Sequence, residues 1–393
     1  MTAPLTPAAS SAAVPYWRLS GFYFFYFALL GATAPFLSAW LAHLGFASAR
    51  IGELVAIPML MRCMAPHLWG WLADRTGRRL AIVRLGAACT LVAFSLIFID
   101  HSYAWLAAVM ALHAFFWHAV LPQFEAITLA HLREQPGRYG MVRLWGSIGF
   151  IVAVVALGRA FEWAGLDAYP WTVIAVMLGI LLASLVVPAP PVEPVAERGQ
   201  GAAGFWSKVR APAVLAFYGA VALLQLSYGP YYTFFTIHLE HLGYSRVAIG
   251  LLWALGVVAE VLMFMAMSRV LARWSVRQVL GASLATAALR WLLLGNLEGG
   301  WVLLCLVQLM HAVTFGAYHA SAIQFVQQRF GGRHQGQGQA LYSALSGVGG
   351  ALGALYSGYA WASLGAMASF TIASVAAALA AVMIYLFMPK ERA

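Results

Sequence analysis

Nine ionisable side chains stand within, or at the mouth of, long apolar stretches: Arg62, His113, His118, Glu125, Arg143, Glu260, Arg290, His311 and His319. A charge at mid-bilayer costs roughly 2.5–3.5 kcal/mol on insertion scales, so such groups are kept where they face one another or a wet cavity. Carboxylates and imidazoles so placed can take up and release protons. Guanidinium groups can hold a carboxylate through paired hydrogen bonds. The chemistry on offer is proton exchange beside anion binding.

Spacing groups these residues. His118 and Glu125 are seven positions apart, as are Trp253 and Glu260, which puts each pair on nearly one helix face. His311 and His319 are eight apart, an offset of about 80° on a regular α-helix. Glu125 and Arg143 bracket a short loop, so their helices are expected to be adjacent and antiparallel, and Glu260 and Arg290 sit on consecutive spans. Each carboxylate thus has a guanidinium candidate on the next helix. Trp145, Tyr228, Tyr231, Tyr232 and Trp253 are candidates for an aromatic lining, with Trp145 and Trp253 favoured because each shares a helix with a charged candidate. For Arg62 and Arg290 a structural charge pair stays open, and for each histidine a packing role. Glu53 reads as an interfacial residue and His67 as structural.

The elements that carry these groups follow from composition. The chain is 63% hydrophobic and 9% charged, against about 25% charged in soluble domains. Twelve stretches of bilayer-spanning length follow one another, at about 17–40, 50–72, 80–99, 103–130, 140–162, 170–188, 212–238, 247–270, 278–296, 300–325, 337–361 and 366–388. In lipid the backbone must satisfy itself, so each is a helix. Pro35, Pro58, Pro66, Pro122 and Pro230 lie inside spans and predict kinks. The expected fold is an all-α membrane protein of two six-helix bundles, 1–188 and 211–393. A Pro- and Gly-rich stretch at 189–210 is expected to link them.

The halves are copies. His43-Leu44-Gly45-Phe46 followed by Ile51-Gly52 returns as His241-Leu242-Gly243-Tyr244 followed by Ile249-Gly250, an offset of 198 residues. The same offset relates Leu112-His113-Ala114 to Met310-His311-Ala312 and Gly140 to Gly338. Two parallel halves in a membrane chain point to a transporter that rocks about a central site.

The net charge of +10 is topological and implies no nucleic-acid partner. With both termini placed in the cytoplasm, 18 of the 23 Lys and Arg residues fall in or beside cytoplasmic segments and three outside, at Arg50, Arg159 and Arg246. Membrane lipid is the expected neighbour of that basic excess. Cys63, Cys89 and Cys305 all lie in apolar spans and suggest neither a disulfide nor a metal site. The first fifteen residues lack the charged start of a signal peptide, so the first span is expected to remain as an anchor. The two lysines form no phosphate loop, and no His-Glu-x-x-His or Gly-x-Ser-x-Gly occurs. The chain is therefore not expected to be an enzyme, nor to need a cofactor.

Gly70-Trp71-Leu72-Ala73-Asp74-Arg75-Thr76-Gly77-Arg78-Arg79 joins the second and third spans and resembles the signature loop of the major facilitator superfamily. The resemblance implies that Asp74 reaches a nearby helix N-terminus, that Gly77 makes the turn, and that Arg75, Arg78 and Arg79 latch the cytoplasmic face in one state. The second copy keeps Arg273 and Arg277 but has Ala272 in place of the acid. Tyr139-Gly140-Met141-Val142-Arg143-Leu144-Trp145-Gly146-Ser147 and Leu255-Gly256-Val257-Val258-Ala259-Glu260-Val261 are similar to spans 5 and 8 of bacterial phenylpropionate permeases, relatives of the lactose permease. In the lactose permease a span 4 Glu and an Arg eighteen positions later form the substrate site, matched by Glu125 and Arg143. Its span 8 Glu, span 9 Arg and span 10 His are matched by Glu260, Arg290 and His311. Its proton-carrying carboxylate three residues beyond that His is here Thr314, so the resemblance passes the proton to Glu260 first and Glu125 second.

These readings converge on a monomeric, proton-driven symporter in the bacterial inner membrane. The expected cargo is an aromatic carboxylate such as 3-phenylpropionate or cinnamate. A sugar or nucleoside is the alternative, and a drug exporter is disfavoured by the number of charges.

Overall fold

The computed structural model describes residues 14–190 and 204–389, and among these every regular element is helical. The first half holds α1 (Tyr16–His43), α2 (Ser48–Thr76), α3 (Arg79–Ser95), α4 (Tyr103–His131), α5 (Tyr139–Ala164) and α6 (Tyr169–Val186). In the second, α7 (Pro212–His241) is a broken span of Pro212–Ser227 and Gly229–His241, with Pro230 opening its second piece. α8 (Arg246–Arg273), α9 (Val276–Gly295) and α10 (Trp301–Phe330) follow.

The last helical run, Gln335–Phe387, is 53 residues long. At 1.5 Å per residue it would measure about 80 Å, against a hydrocarbon core of about 30 Å. It breaks at Gly365, with φ 82 and ψ −175, a region in which only glycine is comfortable. Two crossings result, α11 (335–364) and α12 (366–387). The described residues thus make twelve spans, as the apolar pattern predicts, and residues 14 and 389 emerge on the side of the Gly70–Arg79 turn. That side is called the loop end here, and the opposite one the far end.

Within the first half α1 packs along α5 and α6, and α4 against α2 and α3; within the second, α11 and α12 pack on α7 and α9. Two long seams join the halves, α2 against α11 and α5 against α8, and α1 also packs on the second piece of α7. The repeated Ile-Gly step makes both seams. A Cβ on Gly52 would stand 2.6 Å from the Ala354 carbonyl oxygen on α11, and one on Gly250 would stand 2.6 Å from that of Val154 on α5. Gly349 and Gly353 bring α11 onto α7, where Cβ atoms would meet the carbonyls of Ala222 and Leu226.

The segment expected as a linker, 189–210, lies largely outside the described residues. Its end is ordered: Phe205–Val209 forms a short helix whose Phe205 packs on Phe330, with ring centroids 5.3 Å apart.

Two substitutions separate conformation from crowding. Gly365→Ala meets nothing within 4 Å, so its cost is backbone strain of order 1–3 kcal/mol, expected as a lower thermal midpoint of the detergent-solubilised protein. Gly52→Val should instead loosen the α2–α11 seam, seen as faster proteolysis or labelling there; a seam as protected as in the parent would contradict the close approach.

Candidate functional site

Two polar clusters face each other between the halves. The second-half cluster is centred on Arg290 of α9, which is 0% exposed. Its Nη1 donates to His311 Nδ1 at 3.1 Å and to Thr314 Oγ1 at 3.2 Å, and its Nη2 donates to Gln308 Oε1 at 3.0 Å. Tyr231 and Trp291 cover the guanidinium, with ring centroids 4.5 and 4.8 Å from Cζ. Glu260 of α8 lies beyond the imidazole, its Oε2 3.4 Å from His311 Nε2. An arginine only donates, so His311 Nδ1 must present its lone pair and Nε2 must carry the proton toward Glu260. The expected Glu260–Arg290 pairing therefore runs through an imidazole instead of by direct contact. Glu260 keeps 16% of its side chain exposed and is this cluster's opening to the space between the halves.

A π-helical turn, Ala312–Ala317, changes the register of α10. Each extra residue so absorbed rotates the following helix by roughly 100°, which nearly cancels the 80° offset expected between His311 and His319. His311, Phe315 and His319 stack in one column, with centroids 5.3 and 5.9 Å apart and interplanar angles of 12° and 6°. His319 then bonds the Tyr342 hydroxyl of α11 at 3.1 Å.

The first-half cluster is looser. Arg143 of α5 lies over Phe27 at 3.8 Å and Tyr23 at 5.6 Å. Tyr139 stands beside the Glu125 carboxylate, and Arg143 lies within its electrostatic reach. No ion pair joins Glu125 to Arg143 among the described residues, and α4 and α5 are not close neighbours. α1 comes between them: Phe22 stacks on Phe124 of α4 at 3.6 Å, and α1 runs along α5. The loop between α4 and α5 is long enough for the chain to pass around α1, which spacing alone could not reveal. Arg62 of α2 is exposed and, like Arg143, acts electrostatically on His319 across the gap.

The other candidates divide. Trp253 is buried against Tyr231 at 4.8 Å and donates from Nε1 to Thr236, so it forms the wall behind Arg290. Trp145 pairs with Trp17 and donates to the Tyr16 hydroxyl at 3.0 Å, on the loop-end side of the cluster. His113 is buried against Phe94 and Trp117, and His118 bonds the Pro58 carbonyl at 3.1 Å. Both are packing residues here.

Comparison with known proteins decides the family. The profile of the MFS_1 like family matches residues 16–372. The chain belongs to that family. It is 30% identical over 373 residues to a probable 3-phenylpropionic acid transporter of Escherichia coli (strain K12), covering 92% of this chain and 94% of that one. It is also 30% identical over 346 residues to a maltose permease of Geobacillus stearothermophilus, covering 85% and 84%. A variant of the nucleoside transporter NupG has the same fold, with a TM-score of 0.82 at 17% identity over 95% of this chain and 98% of that one. The protein is a multi-pass major facilitator transporter of a small solute, and not an enzyme.

In this major facilitator chain the signature loop has several described contacts inside the first half. Gly77, at φ 67, ends α2. Arg79, the first residue of α3, donates to Asp74 and to Gln123 of α4, both at 2.6 Å, so Asp74 meets the start of α3 through a side chain. Gly70 lies over the same Gln123, and Arg75 rests on Trp71. Arg78 is exposed.

Described hydrogen bonds between the halves all lie from mid-span to the far end. Cys63 reaches the Ala344 carbonyl at 3.4 Å. Arg246, held by Glu240 at 2.7 Å, donates to the Phe161 carbonyl at 2.9 Å. Tyr359 of α11 donates to Glu53 of α2 at 2.5 Å, while Arg50 holds the same carboxylate at 2.8 Å. The offset of 198 maps Phe161 onto Tyr359, so one pseudo-symmetric position closes both seams. Glu53 is thus a contact between halves, a role its interfacial place concealed. These contacts close the far end. Glu53→Gln combined with Tyr359→Phe should raise labelling of Cys63 by an impermeant maleimide added at the far end several-fold, with Cys89 and Cys305 replaced. Unchanged labelling would show that this contact does not hold the seam.

Proposed function

We propose that the protein is a proton-coupled symporter that imports a small aromatic carboxylate of the 3-phenylpropionate or cinnamate kind. The observation that carries this reading is a division of charge between the halves. The second half holds a compensated, proton-exchangeable set, Glu260–His311–Arg290. The first half offers Arg62 and Arg143, with no ion pair to either among the described residues. Arg290 is sealed by Gln308, Thr314, His311, Tyr231 and Trp291, so it fits a fixed counter-charge better than a substrate anchor. Arg143, already lying on Phe27, suits a carboxylate whose ring packs against aromatic side chains.

Charge balance supplies the coupling. With Glu260 ionised, the second-half cluster is neutral overall. Protonation leaves the buried Arg290 charge uncompensated, a costly state, and an arriving carboxylate restores neutrality. Proton and anion are therefore carried together more easily than either alone. Alternating exposure would come from rocking of 14–188 against 211–389 about the two seams. The positive-inside distribution supports a cytoplasmic loop end and cytoplasmic termini. The proton gradient of a bacterial inner membrane supplies the energy, with no cofactor, and the fold is complete as a monomer.

A neutral sugar is the second reading. The maltose permease relative favours it, as does Glu125, whose carboxylate beside Tyr139 can accept hydroxyl donors. Thermal stabilisation by 3-phenylpropionate against maltose separates the two.

In proteoliposomes, labelled 3-phenylpropionate should accumulate with an imposed inward proton gradient and equilibrate without it; indifference to the gradient rejects coupling. Glu260→Gln should abolish gradient-driven accumulation yet keep exchange, since the amide mimics the protonated acid. Arg143→Gln should raise the half-saturating concentration by about tenfold, the loss of one charge-assisted contact.

A further inference from the structure

We infer that Gln308 of α10 is a positioning residue that dictates the protonation pattern of His311. The inference rests on the reading of Glu260 and His311 as the proton site. Gln308 is 0% exposed, and all three of its bonds point one way. Its Nε2 donates to the Leu252 carbonyl of α8 at 2.9 Å. That bond fixes the amide, because the flipped orientation would set oxygen against oxygen and –NH2 against a guanidinium. Oε1 is then committed to two donors, Arg290 Nη2 at 3.0 Å and the Tyr231 hydroxyl at 3.2 Å.

The constraint passes on through Arg290. With Nη2 held, the planar guanidinium directs both hydrogens of Nη1 to His311 Nδ1 and Thr314 Oγ1. A donor aimed at Nδ1 forbids a proton there, which leaves the Nε2–H tautomer facing Glu260. An imidazolium would set N–H against N–H and would have to break the Arg290 bond. His311 is thus kept neutral with its one proton toward the carboxylate, and protons arriving from the space between the halves are steered to Glu260. Gln308 does this from a distance: it sits three residues before His311 on α10, immediately ahead of the π-turn, and touches neither Glu260 nor the imidazole nitrogens.

The test is nitrogen-15 NMR of histidine-labelled, full-length protein in liposomes, with the His311 signal assigned by its loss in His311→Gln. The parent should show Nε2–H with an unprotonated Nδ1. Gln308→Met removes the acceptor and should raise the minor Nδ1–H form about tenfold, the worth of one hydrogen bond to a charged group. Gln308→Asn keeps the amide but withdraws it by one methylene, and should move the signal the same way if the Met variant does not fold. A parent spectrum with Nδ1 protonated overturns the inference. So does a parent-like pattern in the Met or Asn variant. The spectrum needs neither substrate nor gradient, so this failure is distinct from failure of the uptake assay.

Discussion

The structure depends on how one guanidinium is kept inside the membrane. Arg290 has no exposure to water, and its three hydrogen-bonded acceptors, Gln308, His311 and Thr314, are all neutral. Its charge is therefore balanced only at one remove, by Glu260 beyond His311. That arrangement ties α8, α9 and α10 together and obliges Tyr231 and Trp291 to pack over the cation. It also leaves one carboxylate both partly open and electrostatically needed. A direct Glu260–Arg290 contact would have joined the two charges as one ion pair; the imidazole between them keeps them linked but apart.

Much of this was legible in the sequence. Twelve apolar stretches, the offset of 198 and the loop at Gly70–Arg79 were sufficient for the fold, because span length and the hydrogen-bond requirement of the backbone leave few choices in lipid. The ionisable candidates were legible for the same reason, since an intramembrane charge advertises itself. What spacing hid was register and order around the bundle. Nothing in Ala312–Ala317 announces a π-turn, yet it decides that His311, Phe315 and His319 form one column. The passage of α1 between α4 and α5 likewise leaves no mark in the local sequence, and so the expected Glu125–Arg143 neighbours stand apart. Gln308 was overlooked because an amide carries no charge, although its distance of three from His311 was there to be read. Glu53 reads from the sequence only as an interfacial residue because its contact between the halves depends on Tyr359, 306 positions away.

The duplication gives symmetry at the seams and asymmetry within the clusters. Gly52 and Gly250 do equivalent work against α11 and α5, and Phe161 and Tyr359 occupy equivalent positions at the far end. Those contacts share the mechanical task of letting two bodies touch closely along a line. The clusters diverged: histidine is retained at 113 and 311, but His113 is enclosed by Phe94 and Trp117 while His311 stands between Arg290 and Glu260. The copies thus kept the same architecture and separated the chemistry, with Arg62, Arg143 and Glu125 loosely placed in one half and Arg290, His311 and Glu260 linked in the other.

The break at Gly365 carries a mechanical consequence. α11 and α12 turn back on each other through a single residue, so no slack separates the helix at the α2 seam from the helix on the periphery. α12 presents Val375, Leu379, Val382 and Leu386 outward, against the acyl chains. Any displacement of α11 at the seam must drag that hydrocarbon-facing surface with it. The thickness and lateral pressure of the surrounding bilayer therefore act on the helix that forms the α2 seam.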